Sequence, residues 1–245
     1  MTEPLRIAMW SGPRNISTAM MRAWENRGDC SVSDEPLYAH YLAHTGSDHP
    51  ARDEVIRAGE TDWRVVTAAL IGAVPDGKPI WYQKHMSHHL LPHIDHDWIH
   101  ALTHVFLIRD PEEVVSSYLR TRDTVTPDDI GLPQERRLFD EIADRNGAAP
   151  PVIDADEFLR APEVHLRALC ASLAISFTDR MLSWPAGPRA SDGVWAPHWY
   201  AAVRNSTGFE KPRDRAAVKL DDDARRVSET CREDYEYLKR HRLAT

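Results

Sequence analysis

The sequence predicts an α/β fold of three layers, with a short, mostly parallel sheet carrying helices on both faces. Short apolar, often β-branched runs alternate with stretches of helical periodicity, the pattern of a parallel sheet. The 245 residues contain no internal repeat and no low-complexity linker. That length suits one large domain over 1–245, able to bury a core without disulfide or metal staples.

The elements follow in order. Ile7-Ala8-Met9-Trp10 reads as a first buried strand, and a helix follows from about Ser17 to Asn26. A short strand is expected around Cys30–Ser33, a helix over Trp63–Val74 and a strand over Pro79–Lys84. His104-Val105-Phe106-Leu107-Ile108 is the clearest strand, and Pro111–Arg122 the helix after it. Pro151-Val152-Ile153 is expected as the last parallel strand, followed by a helix over Pro162–Ala174. A final helix is expected at about 221–242. Asp221-Asp222-Asp223 at its start and Lys239-Arg240-His241-Arg242 at its end complement the helix dipole. Ala224, Val227, Cys231, Tyr235 and Leu238 recur at helical spacing, so one face packs on the body.

Composition narrows the function. Lys plus Arg is 30 against 38 Asp plus Glu, a net charge of −8. Nucleic-acid polymers and anionic membranes both select clustered basic residues, so neither is expected as a partner. Any bound anion must be held by a few basic groups gathered locally. Apolar residues make up 42% and charged residues 28%, a globular balance. The start, Met1–Trp10, is too short and acidic for a secretory signal, and no apolar stretch spans a bilayer. Cys30, Cys170 and Cys231 form no CxxC, so neither a disulfide framework nor a zinc cage is implied. A cytoplasmic protein is the expectation.

Two motifs carry chemistry. The first strand runs into Ser11-Gly12-Pro13-Arg14-Asn15-Ile16-Ser17-Thr18 and then a helix. Backbone amides and the helix dipole converge at such a junction and favour an anion. Gly12 allows a tight turn and close approach, Arg14 brings charge, and Ser17 and Thr18 can cap the helix or donate to a phosphate. The alternative is a capped turn with a solvated arginine. The nucleotide-triphosphatase pattern GxxxxGK[ST] is absent, which disfavours ATP hydrolysis. In the second motif, Phe106–Tyr118, Asp110 is an N-cap, Pro111 takes the first helical position and Glu113 closes a capping box. Arg109 is not needed by that architecture. It stands at the carboxyl end of a buried strand, where α/β sheets bind ligands, with Ser117 eight residues on. An arginine fork and a hydroxyl clamp a terminal phosphate. The alternative is a surface arginine paired with Glu112 or Glu113.

Together the motifs resemble those of the PAPS-dependent sulfotransferases, and the chain is similar to a small bacterial branch of that family. Gly12-Pro13-Arg14-Asn15-Ile16-Ser17-Thr18 follows the family's Tyr-Pro-Lys-Ser-Gly-Thr-Thr loop, with Arg14 for the lysine and Ile16 for the glycine. The resemblance runs from about Leu5 to Lys211. It implies a P-loop-type domain that moves a sulfuryl group from PAPS to a hydroxyl or amine of a small acceptor, without a metal. The loop would hold the 5′-phosphosulfate, with Arg14 at the transferring group, and Arg109 and Ser117 the 3′-phosphate. Arg204-Asn205-Ser206-Thr207-Gly208-Phe209-Glu210-Lys211 resembles the family's late segment over the cofactor, where Lys211 or Arg204 adds a contact. Trp195, Trp199 and Tyr200 are candidates for an acceptor pocket or for lid packing.

Such a transfer needs a base. Glu35, in Ser33-Asp34-Glu35-Pro36, corresponds to the Glu-Pro of several bacterial and Golgi-type members and is the first choice. His85, in Gln83-Lys84-His85-Met86, is the second, and Lys84 or His85 is alternatively a partner of the sulfuryl oxygens. Seven of the 13 histidines lie between His85 and His104. Their spacing invites a metal reading, but Pro92 breaks any continuous helix and HExxH is absent, so a polar connection is favoured. Two other functions stay open: a nucleotide kinase or phosphotransferase, and a non-catalytic binder of PAP or a related nucleotide.

Overall fold

A computed structural model of the chain describes residues 3–211 and 220–245. Its five strands form one sheet, all pairs parallel, in the order β2-β3-β1-β4-β5. These strands are β1 Leu5–Ser11, β2 Cys30–Asp34, β3 Ile80–Met86, β4 Thr103–Ile108 and β5 Val152–Asp154. Central β1 sets Leu5 opposite Ile80 on β3 and Ile7 opposite Thr103 on β4. Side chains alternate across a strand, so Ala8 and Trp10 enter one core and Ile7 and Met9 the other.

Twelve helices complete the described chain: α1 Ser17–Asn26, α2 Tyr38–Thr45, α3 Arg52–Ala58, α4 Trp63–Leu70, α5 Pro111–Tyr118, α6 Pro127–Ile130, α7 Leu132–Asn146, α8 Ala155–Arg160, α9 Pro162–Ser172, α10 Ala196–Trp199, α11 Ala201–Arg204 and α12 Asp222–Arg240. On one face Met20, Met21 and Trp24 of α1 pack with Phe158 of α8 and Leu166 and Leu169 of α9. On the other, Val114 and Val115 of α5 meet Leu138, Phe139 and Ile142 of α7 and Tyr235 and Leu238 of α12. Burying a side chain of this size contributes roughly 1.5–3 kcal/mol. A third cluster joins Tyr38, Tyr41 and Leu42 of α2 to Trp195 and Tyr200. The expected α/β layers are therefore present.

The helix begun at Pro162 ends at Ser172, just short of Ala174, and two others end well before their expected bounds. The helix begun at Trp63 stops at Leu70, short of Val74, and Pro75 follows. That begun at Pro111 stops at Tyr118, and Arg122 reaches away to the Asp48 carbonyl (2.5 Å). Asp110 caps α5 through the Glu112 N–H at 2.9 Å. Glu113, expected to close a capping box, has its carboxylate on the Arg109 guanidinium. The last helix is anchored as its spacing required: Ala224, Cys231, Tyr235 and Leu238 are buried, and the Tyr235 hydroxyl donates to Asp154 at 2.6 Å. The three cysteines are buried and free. Among the described residues, no helix is long and apolar enough to cross a membrane.

Candidate active site

The site lies where the chain leaves the carboxyl ends of β1 and β4. Helix α1 leaves β1 towards one face of the sheet and α5 leaves β4 towards the other. Divergent exits of this kind open a crevice. A cavity of about 740 Å3 occupies it. Of the residues singled out in the sequence, Pro13, Arg14, Asn15, Ser17, Thr18, Glu35, Arg109, Ser117 and Lys211 line this cavity.

The loop after β1 is stitched to the loop after β4. Asn15 donates to the Leu107 carbonyl at 2.7 Å and accepts from the Ile16 N–H at 2.9 Å. These two bonds fix the loop. Arg14 has a left-handed backbone (φ 57°), sterically costly for any residue but glycine. Its Nε donates to Ser117 Oγ at 3.0 Å, and its carbonyl accepts from Arg109 Nη1 at 2.8 Å. Arg109 thus pairs with Glu113, as the alternative reading of its side chain had it, and also donates to the loop. Burial and the neighbouring Arg120 and Arg109 guanidiniums push the Arg14 pKa below its ordinary value. Arg120, Arg122 and Lys211 add cations to the lining. Ser17 opens α1 as its first residue; the N-cap is Ile16, which provides no side-chain cap. The capping role expected of Ser17 is therefore not taken up, and its hydroxyl belongs to the first turn.

Gly12 corrects a second reading. A Cβ there would stand 2.2 Å from the Ile130 carbonyl oxygen. The glycine makes room for the α6–α7 corner beneath the loop, and Gly12 does not itself line the cavity. Buried Glu135 lies below it, directed towards the Gly12 amide and the Ser87 hydroxyl without closing a full hydrogen bond to either. Burial pushes its pKa up to about 8.

The opposite wall is ionic. Lys84, 1% exposed on β3, donates to Asp34 at 2.9 Å, Glu35 at 2.5 Å and the Tyr200 hydroxyl at 2.8 Å. Tyr200 is in turn within 2.7 Å of Asp34, and Trp195 Nε1 donates to its hydroxyl at 3.1 Å. Two buried carboxylates hold the Lys84 pKa well above its usual value against the opposing effect of burial. Burial raises the Glu35 pKa despite the Lys84 charge. Glu35 shares the left-handed backbone of Arg14, with φ 46°.

His85 is elsewhere. Neighbours on a strand point to opposite faces, so Lys84 lines the cavity while His85 enters the core. Its ring stacks on Trp10 with centroids 4.5 Å apart, and it is 1% exposed. Burial and the adjacent His104 push its pKa down to about 3. Arg204 also stays outside the lining, with Nη2 3.6 Å from Asp192. The late segment otherwise reaches the cavity through Ser206 and Gly208 to Lys211, braced by Phe209 against Phe158 and Trp184. Trp199 and Tyr200 line the cavity, with Trp195 behind Tyr200.

Some lining residues went unread in the sequence. Tyr38 on α2 contacts His49 through Oη and Nδ1 at 2.7 Å. Burial and Arg122 push the His49 pKa down to about 4, leaving a neutral imidazole near pH 7. His88 and His89 also face the cavity. Their distance along the chain from the loop motif left no sequence signal beyond histidine density.

The protein-family model for a sulfotransferase domain matches residues 5–230. Branched-chain-amino-acid aminotransferase-like protein 1 of Arabidopsis thaliana is 40% identical over 217 residues, 87% of this chain and 38% of that protein. The Arabidopsis thaliana protein 2 of the same name is 37% identical over 207 residues, covering 84% and 36%. This chain thus spans less than two fifths of the length of these curated relatives. Among solved structures, a sulfotransferase from Alicyclobacillus acidocaldarius shares the fold, with a TM-score of 0.54, 13% identity and coverage of 100% and 98%. The family model covers most of the chain, and the chain belongs to the sulfotransferase family.

Proposed function

We propose that this chain transfers a sulfuryl group from PAPS to a hydroxyl or amine of a small acceptor. The observation that carries the reading is that one cavity has two chemically distinct walls. The loop, Arg109 and Ser117 supply cations and donors, and Glu35 with Lys84 supplies a buried carboxylate beside an ammonium. The cavity volume and the cluster of guanidiniums fit a small polyanion.

In this reading Arg14, Asn15, Ser17 and Thr18 hold the 5′-phosphosulfate, with Pro13 shaping the loop and Gly12 supporting it from below. Arg109 and Ser117 hold the 3′-phosphate, and Lys211 adds charge at the rim. The acceptor oxygen or nitrogen attacks sulfur in line as the bond from sulfur to the bridging phosphate oxygen breaks. Glu35 takes the acceptor's proton, and PAP leaves with the negative charge. Lys84 orients Glu35 and offers its ammonium to the sulfuryl oxygens. Positioning and charge stabilisation carry most of the rate in transfers of this type.

Calorimetric titration with PAP, followed by an acceptor screen with labelled PAPS, tests the reading. Saturable PAP binding and label transfer that Glu35→Gln slows sharply are expected. Tighter binding of ATP–Mg than of PAP would favour a kinase, and PAP binding without turnover on any acceptor a nucleotide binder.

A further inference from the structure

The seven-histidine run disperses on folding. His85 and His104 join the Trp10 core, His88 and His89 back the cavity, and His96 reaches Glu141 at 2.8 Å. His88 and His89 also pack on Tyr38 and Tyr41 of α2, and His93 turns towards the histidines of that helix. There it meets His40 and His44, which lie outside that run. None of the three lines the cavity.

We propose that His40, His44 and His93 bind a single divalent transition-metal ion of the zinc, copper or nickel class. His40 and His44 are four residues apart on α2 and so share one helix face. Their rings are 5.8 Å apart, centroid to centroid, at 20°. His93, following Pro92, places its ring 4.1 Å from His44 and 5.1 Å from His40. One ligand nitrogen from each residue lies within 4.8 Å of the others, and the His40 and His93 Nε2 atoms are 2.9 Å apart. Nitrogens bound to a tetrahedral ion at about 2.0–2.1 Å stand roughly 3.3 Å from one another, a spacing the His40–His93 pair is already near.

The hydrogen-bond pattern around His40 supports the assignment. Its Nδ1 lies 2.7 Å from the Thr61 carbonyl oxygen, which can only accept. The proton therefore sits on Nδ1, and the Nε2 lone pair faces the cluster. Metal-ligating histidines are oriented in this way by a carbonyl on the far ring nitrogen. His40 is 7% exposed and held in place, whereas His44 and His93 are exposed and open the site to solvent. Without an ion, His93 donates its Nε2 proton to His40; with one, His93 carries that proton on Nδ1. Imidazole suits zinc, copper and nickel, and three protein ligands leave a position for water.

The position has a consequence for the cavity. Helix α2 begins just beyond Glu35 and carries Tyr38 into the cavity wall, and His93 follows the His88–His89 segment of that wall. An ion here ties the two segments together from outside.

The test uses tag-free chain stripped with EDTA and dialysed. It is titrated with Zn2+ by calorimetry and with Co2+ by visible absorption. One ion per chain is expected, with ligand-field bands from Co2+ and a rise in melting temperature with Zn2+. His44→Ala and His93→Ala, at exposed positions, should each weaken binding about 10-fold or more while melting like the metal-free chain. Their double variant should lose the cobalt bands. No saturable binding by the stripped chain, or unchanged affinity in the double variant, overturns the proposal. Both outcomes are independent of PAP binding and of sulfuryl transfer.

Discussion

Lys84 Nζ stands 2.5 Å from Glu35 Oε1, and the same ammonium reaches Asp34 at 2.9 Å. One buried cation thus serves two buried carboxylates from the end of the neighbouring strand. The arrangement keeps Glu35 ionisable in a site whose burial favours the neutral acid.

Removing that cation should be costly to the fold. Lys84→Met leaves Asp34 and Glu35 without their shared partner, and loss of one side of a buried pair costs about 3–5 kcal/mol. Urea unfolding near pH 7 should show a loss of this size. Melting at low pH, where Glu35 takes up a proton, should narrow the gap.

Glu35→Gln keeps an oxygen for Lys84 but removes the base. Turnover should fall roughly 100- to 10,000-fold, with PAP affinity within a few-fold of wild type. In the unaltered protein, the acid limb of the pH–rate profile should lie above the ordinary carboxylate range, because burial raises the Glu35 pKa. Stopped-assay rates across pH 4–9 check both points.

The Arg109 fork predicts a loss of nucleotide binding. Arg109→Ala should weaken PAP binding by about 10-fold or more, since a charge-assisted hydrogen bond contributes roughly 1.5–3 kcal/mol. Ser117→Ala should weaken it less, having only a neutral hydroxyl to lose. Calorimetry at fixed salt measures both, and unchanged affinity in Arg109→Ala would exclude its assignment to the 3′-phosphate.

Glu135 predicts a pH-dependent stability. Its pKa is about 8 in the folded state against an ordinary 4.5, so the folded chain holds a proton that the unfolded chain releases between these values. Its stabilising contribution is complete below about 4.5 and is lost as pH rises to about 8. Glu135→Gln cannot ionise, so its melting advantage over wild type should grow across that window and level off above it. A flat difference from pH 5 to 9 would show that the carboxyl does not titrate there.

Gly12→Ala tests the floor of the loop. The added methyl meets the Ile130 carbonyl, a backbone atom that cannot swing aside. Overpacking of this kind costs roughly 1–3 kcal/mol. Lower stability and weaker PAP binding should appear together.

The amino-acid sequence by itself determined the layers and most strands of this protein. Local apolar runs mark β1 and β4, and Asp110-Pro111 marks the start of α5, because strand burial and helix caps are written in adjacent residues. Helix α7 went unread, although Leu138, Phe139 and Ile142 bury its inner face at helical spacing, because charged residues dominate the rest of that stretch. The family loop and the Arg109–Ser117 spacing identified one wall of the cavity for the same local reason. Only the tertiary structure decided which of Lys84 and His85 lines the cavity, through the register and face of β3. It also decided that Gly12 serves packing, and that His93 meets α2 rather than its own sequence neighbours. Such outcomes depend on which segments the sheet order β2-β3-β1-β4-β5 brings together. Contacts between residues far apart in the chain leave no periodicity to read, so only the folded chain settles them.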